Sequence, residues 1–158
     1  MHPGDWPTVR AIYEDGIITG MATFETTPPD WEKWDSSHIN ACRLAARTPD
    51  RRVLGWAAIS PTSSRSVYAG VGEVSVYIAR EARGQGIGKA LMQALIGASE
   101  QAGLWTLQAA IMADNLASIH LHEVTGFRLV GRREKIGRLN GVWRDTILME
   151  RRSLTVGV

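Results

Sequence analysis

GEVSVYIAREARGQGIGKALMQALIG, residues 72–97, is the stretch on which the fold turns. From Gly72 to Ala79 polar and apolar side chains alternate, with Val74, Val76 and Ile78 on one side, the period of a half-buried strand. From Gly88 onward Leu91, Met92, Leu95 and Ala98 share one face of an amphipathic helix, and Gly103 marks its stop. Between the two runs ARGQGIGKA, residues 82–90, with glycines at 84, 86 and 88. A small-residue turn from strand to helix lets backbone N–H groups and the positive end of the helix face an anion.

Two nucleotide-binding patterns fail on this loop. A Walker A loop anchored on Gly88-Lys89 needs a glycine where Arg83 stands and a metal-binding hydroxyl where Ala90 stands. A nucleotide hydrolase dependent on Mg²⁺ is therefore disfavoured. A dinucleotide fingerprint accepts Gly84 and Gly86 but meets Lys89 at its third glycine. What remains is R-x-x-G-x-G, carried by Arg83, Gly86 and Gly88, a nest suited to a pyrophosphate held without metal.

Outward from this unit the chain is ordinary. Its 158 residues fit one domain spanning residues 1–158, and 44% hydrophobic with 22% charged residues is typical of a soluble globular protein. A net charge of +2 with scattered basic residues gives no nucleic-acid footprint. No apolar run reaches the ~18 residues of a membrane span, and no signal-peptide core precedes the first helix, so a soluble cytoplasmic protein is expected. Cys42 is the only cysteine, which excludes an internal disulfide and reads as a small buried hydrophobe.

Helical spacing covers DWPTVRAIYEDGI, with Asp5 as cap and Pro7 in the first turn, and resumes across DWEKWDSSHINACRLAAR behind Asp30. MATFETTPPD between them reads as a loop. RVLGWAAIS and TLQAAIM read as strands, and NLASIHLHEVTG as a short helix ended by Gly126. RLVGRREKIGRLNGVWRDTILMER reads as two strands turning at Asn140-Gly141. This order predicts an α/β (α+β) protein built on a mixed sheet. Trp31, Trp34 and Trp56 are expected in the core or an interface, not against a ligand.

The strand–loop–helix unit resembles the acetyl-coenzyme A segment of the GNAT N-acetyltransferases, and NLASIHLHEVTGF resembles that family's N-x-x-A-x-x-L-Y-x-x-x-G-F, with His122 at the tyrosine. Further pieces resemble the phosphinothricin and methionine sulfoximine acetyltransferases. These are TFETTPP, RSVYAGVGEVSVY, LHEVTGF and GRLNGVWRD, the last matching G-x-K-x-G-x-W-x-D except that Leu139 replaces lysine. The resemblance implies a GNAT fold, a mixed central sheet flanked by helices, with the usual opening edge strand absent or truncated. It implies acetyl-CoA as co-substrate, no metal, and a homodimer.

The resemblance also implies site residues. Cofactor contacts fall on Val76, Tyr77 and Ile78, on Arg83, Gly84, Gln85, Gly86, Ile87, Gly88 and Lys89, and on Asn115 and Ser118. Acetyl transfer to an amine needs a base, an oxyanion donor and a proton for the leaving thiolate. Glu73, fixed on the central strand, is the candidate base. His122 titrates near neutrality and serves either as base or as acid, a choice the sequence leaves open. His120, about 200° round the helix from it, belongs elsewhere. A strand amide near Val76 or Ile78 would hold the oxyanion. For an acceptor carboxylate the branch's arginine and tyrosine fall on Arg65 and Tyr68, while Phe24 and Glu25 border the acceptor. Thr62-Ser63 replace a Trp-Lys pair of that branch.

The expected activity is acetyl transfer to the α-amine of a small amino acid or analogue. A polyamine, aminoglycoside or protein N-terminus as acceptor, or a non-catalytic CoA-binding module, are the alternatives.

Overall fold

The structure, a computed structural model, describes residues 1–158. Its centre is one six-stranded sheet. The strands are β1 (Arg43–Arg47), β2 (Val53–Pro61), β3 (Val71–Ile78), β4 (Thr106–Met112), β5 (Arg128–Leu139) and β6 (Val142–Arg152), in the spatial order β1-β2-β3-β4-β6-β5. Only β3 and β4 run parallel; every other neighbouring pair is antiparallel. The parallel pair is bridged by α3 (Ile87–Gln101), whose positive-φ stop is Gly103 at +82°.

Helices cover both faces. On one, Leu91, Met92 and Leu95 of α3 pack on Ala57 and Ile59 of β2, Val74 of β3 and Leu107, Ala109 and Ile111 of β4. Cys42 is fully buried in this cluster, where burial raises its thiol pKa. On the other face, α1 (Trp6–Ile18) and α2 (Trp31–Ser37) place Trp6, Val9, Ile12 and Trp34 against Trp56 and Ala58. Trp34 and Trp56 are each 1% exposed and meet edge to face at 5.6 Å, so these two are core, with Trp31 partly buried against them. β2 is covered on both faces, which explains why Gly55 to Ile59 is buried without a break.

One expectation fails. The helix expected from Asp30 through Arg47 ends at Ser37, and Arg43–Arg47 is a strand. Asp30 caps the start by accepting from the Lys33 amide at 2.8 Å. At the other end Ser37 Oγ and His38 Nδ1 both take the Trp34 carbonyl, and His38 turns extended. Leu, Ala and Arg favour helix locally, but pairing with β2 outweighs that preference in β1.

β1 is the open edge of the sheet. The first residues add no strand there: Pro3–Asp5 form a 3₁₀ turn, and the Met1 ammonium donates to the Arg43 carbonyl at 3.2 Å. Asp5 precedes α1 as expected but does not cap it; its carboxylate takes the His2 amide and the Arg47 guanidinium. The β5–β6 turn falls on Asn140 and Gly141, at φ +48° and +84°, as an Asn-Gly hairpin requires.

Candidate active site

β3 and β4 pair at three positions only, Val71 with Thr106, Gly72 with Leu107 and Glu73 with Gln108. Both strands continue, to Ile78 and to Met112, but apart. Beyond Glu73 their facing backbone groups lack a strand partner, and such groups call for one. The opening is a cleft of about 1160 Å³ that runs from Glu73 past Val76, Tyr77 and Ile78 to the Arg83–Lys89 loop.

Glu73 sits at the closed end, where its Oε2 accepts from the Gln108 side-chain amide at 3.2 Å. The pair faces across the last joined row of the two strands, so the carboxylate is held at the point where they part. Further along the same face of β3, Tyr77 stacks on Trp56 at 4.7 Å and meets Tyr13 at 4.8 Å. Burial raises the pKa of both phenols, so they remain neutral hydroxyls.

The loop is shaped for close backbone approach. Gly84 and Gly86 take φ of +73° and +79°, which favour glycine, and Gly86 is the residue before α3. The first intrahelical bond of α3 runs from the Ala90 amide to the Gly86 carbonyl, so the amides of Ile87, Gly88 and Lys89 have no partner inside the helix. They present the positive end of a 15-residue helix, where an anion could be held. Arg83 Nε donates to the Ile78 carbonyl at 3.2 Å and anchors the loop to the strand. A Cβ on Gly88 would stand 3.3 Å from Leu121, so this glycine serves the approach of α3 to the next helix. Gln85 folds back onto the Glu81 carbonyl at 2.9 Å and stays outside the cleft.

That next helix, α4 (Leu116–Val124), closes one wall. Asn115 caps it by accepting from the Ser118 amide, and donates to the Met21 carbonyl at 3.1 Å. Both ends of its side chain are thus used to tie α4 to the loop after α1. His122 is 2% exposed and lies edge-on to Phe127 at 4.9 Å. Its Nδ1 is 2.7 Å from the Ser118 carbonyl, which only accepts, so Nδ1 carries the proton. Nε2 is then a lone pair, and it is buried without a partner. Burial holds the imidazole pKa below its ordinary value, against the opposing hydrogen bond to Ser118. His120 reaches the cleft rim from solvent, 3.9 Å from Glu123.

The remaining wall is the loop 19–25 and the β5–β6 hairpin. Phe24 and Glu25 line the cleft, with Phe24 pressed on Gly137. Between Arg133 and Gly137 the β5 register slips, and Lys135 takes a φ of +47°. Asp145 fixes this bulge by accepting from the Lys135 amide at 2.7 Å and from Arg132 Nε at 2.9 Å. The same contacts keep its carboxyl pKa low, that of the Lys135 amide most. The bulge brings Arg133 and Ile136 to the cleft.

Arg65 and Tyr68 stand elsewhere. They sit on the exposed connection before β3, the guanidinium 5.7 Å over the phenol ring, and neither lines the cleft. Sequence reasoning missed Gln108, Thr146 and Arg133. Thr146 is 2% exposed, a buried polar residue amid Ile147 and Met149. A hydroxyl directly before the apolar run Ile147–Met149 is the signal in the sequence for this residue. Nowhere do three or more His, Cys, Asp or Glu side chains gather as a metal site.

Residues 6–127 match the model of the acetyltransferase (GNAT) family. The chain is 38% identical to a phosphinothricin N-acetyltransferase of Alcaligenes faecalis over 93% of its own length and 77% of that protein's. It is 33% identical to an L-methionine sulfoximine/L-methionine sulfone acetyltransferase of Pseudomonas aeruginosa, covering 92% and 88% of the two. Its fold superposes on a GNAT phosphinothricin acetyltransferase from Sinorhizobium meliloti in complex with AcCoA, with a TM-score of 0.87, 32% identity and coverage of 96% and 85%. The chain belongs to the GNAT family and is an acetyl-CoA-dependent N-acetyltransferase.

Proposed function

We propose that this enzyme acetylates the α-amine of a small amino acid or amino-acid analogue, of the phosphinothricin or methionine sulfoximine and sulfone type. What carries the reading is the cleft itself: a carboxylate, Glu73, at its closed end and phosphate-binding amides at its open end. The names of the relatives point to the same acceptor class.

The chain's residues divide the work as follows. The amides of Ile87, Gly88 and Lys89 with the Gly84–Gly86 turn receive the pyrophosphate. Acetyl-coenzyme A supplies a thioester whose carbonyl carbon the amine attacks. The unpaired β3 edge near Val76 and Ile78 offers an amide to the carbonyl oxygen as it gains charge. Glu73 takes the first proton from the ammonium, directly or through a water, and later yields it to solvent. His122 Nε2, a proton acceptor in its resting form, takes the second N–H proton as the amide forms and passes it to the departing sulfur. Atoms and charge balance: one proton leaves with water, the other ends on the thiol.

An acceptor screen tests the proposal by reading free thiol from acetyl-CoA. Methionine sulfone, methionine sulfoximine, phosphinothricin, common amino acids, polyamines and an alanine-starting peptide would be compared. Turnover confined to polyamines or peptides overturns the amino-acid acceptor; no turnover with any amine would favour a CoA-binding module.

We further propose that residues 1–158 act as one domain, that two copies pair, and that they work in the cytoplasm. Val142 and Trp143, 59 and 57% exposed, leave apolar surface together at the turn of the β5–β6 hairpin, which supports pairing. A lone buried thiol suits a reducing compartment. Light scattering on the purified protein tests the dimer, and a monomer at micromolar concentration overturns it.

A further inference from the structure

Arg133 differs from the arginines around it. On β5 and β6, Arg128, Arg132, Arg144 and Arg151 each hold a carboxylate, from Glu150, Asp145, Asp114 and Glu100. Arg138 turns away to the Gly141 carbonyl and the Trp143 ring, and Arg152 is taken up by the carbonyls of Trp105, Ser153, Val156 and Gly157. Arg133 holds no carboxylate. Its side chain makes one hydrogen bond, from Nε to Thr146 Oγ1 at 3.1 Å, and it is only partly exposed, in the wall of the cleft. The two terminal guanidinium nitrogens have no partner in the protein.

A half-buried guanidinium without a counter-charge is costly, and its planar fork is shaped for a carboxylate. The bond from Nε to a buried hydroxyl fixes the plane while leaving the outer edge free. Strand register sets where that edge lies. Arg133 pairs with Thr146 and Thr146 with Met112, at the open end of the β3–β4 fork, whereas Glu73 and Gln108 mark its closed end. All four residues share one face of the sheet, because directly paired residues do and alternate residues along a strand do. Phe24 and Glu25 roof the same space.

We infer that Arg133 binds the α-carboxylate of the acceptor, held in place by Thr146, and so makes the enzyme selective for amines that carry a carboxylate. This rests on the amino-acid acceptor proposed above. The acceptor's ammonium, on the carbon that bears this carboxylate, is then held on the face that Arg133 shares with Glu73 and turned toward it, so that binding orients the amine for attack. Arg65, exposed and outside the cleft, is not needed for this contact.

The test compares wild type with Arg133→Leu, Arg133→Lys and Thr146→Val on two acceptors. One is an α-amino acid that the enzyme acetylates; the other is its carboxamide, which keeps the amine and the side chain. Loss of a charged hydrogen-bonded contact raises KM for the amino acid about ten- to a hundredfold in Arg133→Leu. KM for the carboxamide and for acetyl-CoA should not move. Arg133→Lys should fall between, since it keeps the charge and loses the fork, and it stands in for Arg133→Leu if that variant does not fold. Thr146→Val should raise the amino-acid KM alone, by a smaller factor.

An equal loss on the carboxamide, or a rise confined to acetyl-CoA, overturns the assignment. Amino-acid acetylation indifferent to Arg133 overturns it and leaves the acceptor class standing. Wild-type turnover only on amines that lack a carboxylate overturns both.

Discussion

Phe24 lies so close to the backbone of Gly137 that a Cβ on the glycine would stand 2.6 Å from the ring. The ring comes from the loop after α1 and the glycine from the bulged strand β5, so this contact sets the distance between two walls of the cleft. Gly137→Ala must push the ring aside. We expect a higher KM for the acceptor, an unchanged KM for acetyl-CoA and little change in Tm. Trimming Phe24 to Leu in the same protein should restore the acceptor KM, with a coupling on the order of 1 kcal/mol in the double-mutant cycle.

Glu73→Gln keeps the shape of the side chain and its neighbour Gln108 but removes the proton acceptor. If Glu73 is the base, kcat should fall by about 10²–10⁴, the usual worth of a positioned base. Acetyl-CoA binding, followed by calorimetry, should be unchanged. Unaltered turnover would remove Glu73 from the mechanism.

With His122 as the proposed proton acceptor, its titration should set the acid limb of the pH profile. Burial lowers its pKa below 6.5, and its work as proposed requires a free lone pair at Nε2. kcat/KM should therefore be flat above that lowered pKa and fall as pH drops through it. In His122→Asn the rate should be low and this limb absent. The sign for stability is the same. The unfolded chain binds the proton more readily than the folded one, so the stabilising contribution is complete above about 6.5 and is lost as pH falls below it. Urea melts across that range provide the check.

Gly86 is left-handed at +79°, and alanine there costs about 1–2 kcal/mol of backbone strain. Gly86→Ala should raise KM for acetyl-CoA and leave KM for the acceptor alone, the mirror image of Gly137→Ala. Equal effects on both substrates would show that the loop and the acceptor wall are not separate.

Local order was readable wherever the residues themselves impose it. β3 and α3 announce themselves by periods of two and 3.6 residues, with glycines between them that only a turn explains. Asn140-Gly141 names its own hairpin. β1 could not be read, because Arg-Leu-Ala-Ala-Arg has helical preference and becomes a strand only through its pairing with β2. The parting of β3 from β4 has no local signature at all: the same valines suit a paired strand and an unpaired one. Arg133 was hidden by the bulge at Arg133–Gly137, which breaks the alternation that tells which face a side chain takes. Arg65 was reached by resemblance in sequence, whereas Arg133 came to notice only through its unpartnered guanidinium edge. Position along the chain does not give position in space, and an unpartnered guanidinium edge is seen only once the fold shows what surrounds it.

The three-residue pairing of β3 with β4 has a mechanical consequence. The sheet consists of two leaves, β1 to β3 and β4 to β6, with a spine only as long as Val71–Glu73. Past that spine the strands are joined only through side chains, where Val74, Ala109, Ile111 and Leu95 pack in one apolar layer on the α3 face, and no β3–β4 pairing crosses. Amides on the facing edges of the two leaves are therefore without a ladder partner there, and a ligand wedged between them should order both edges at once. Hydrogen exchange should register this as slowed amides on the inner edges of both leaves when CoA is added, while those of β2 stay as they were.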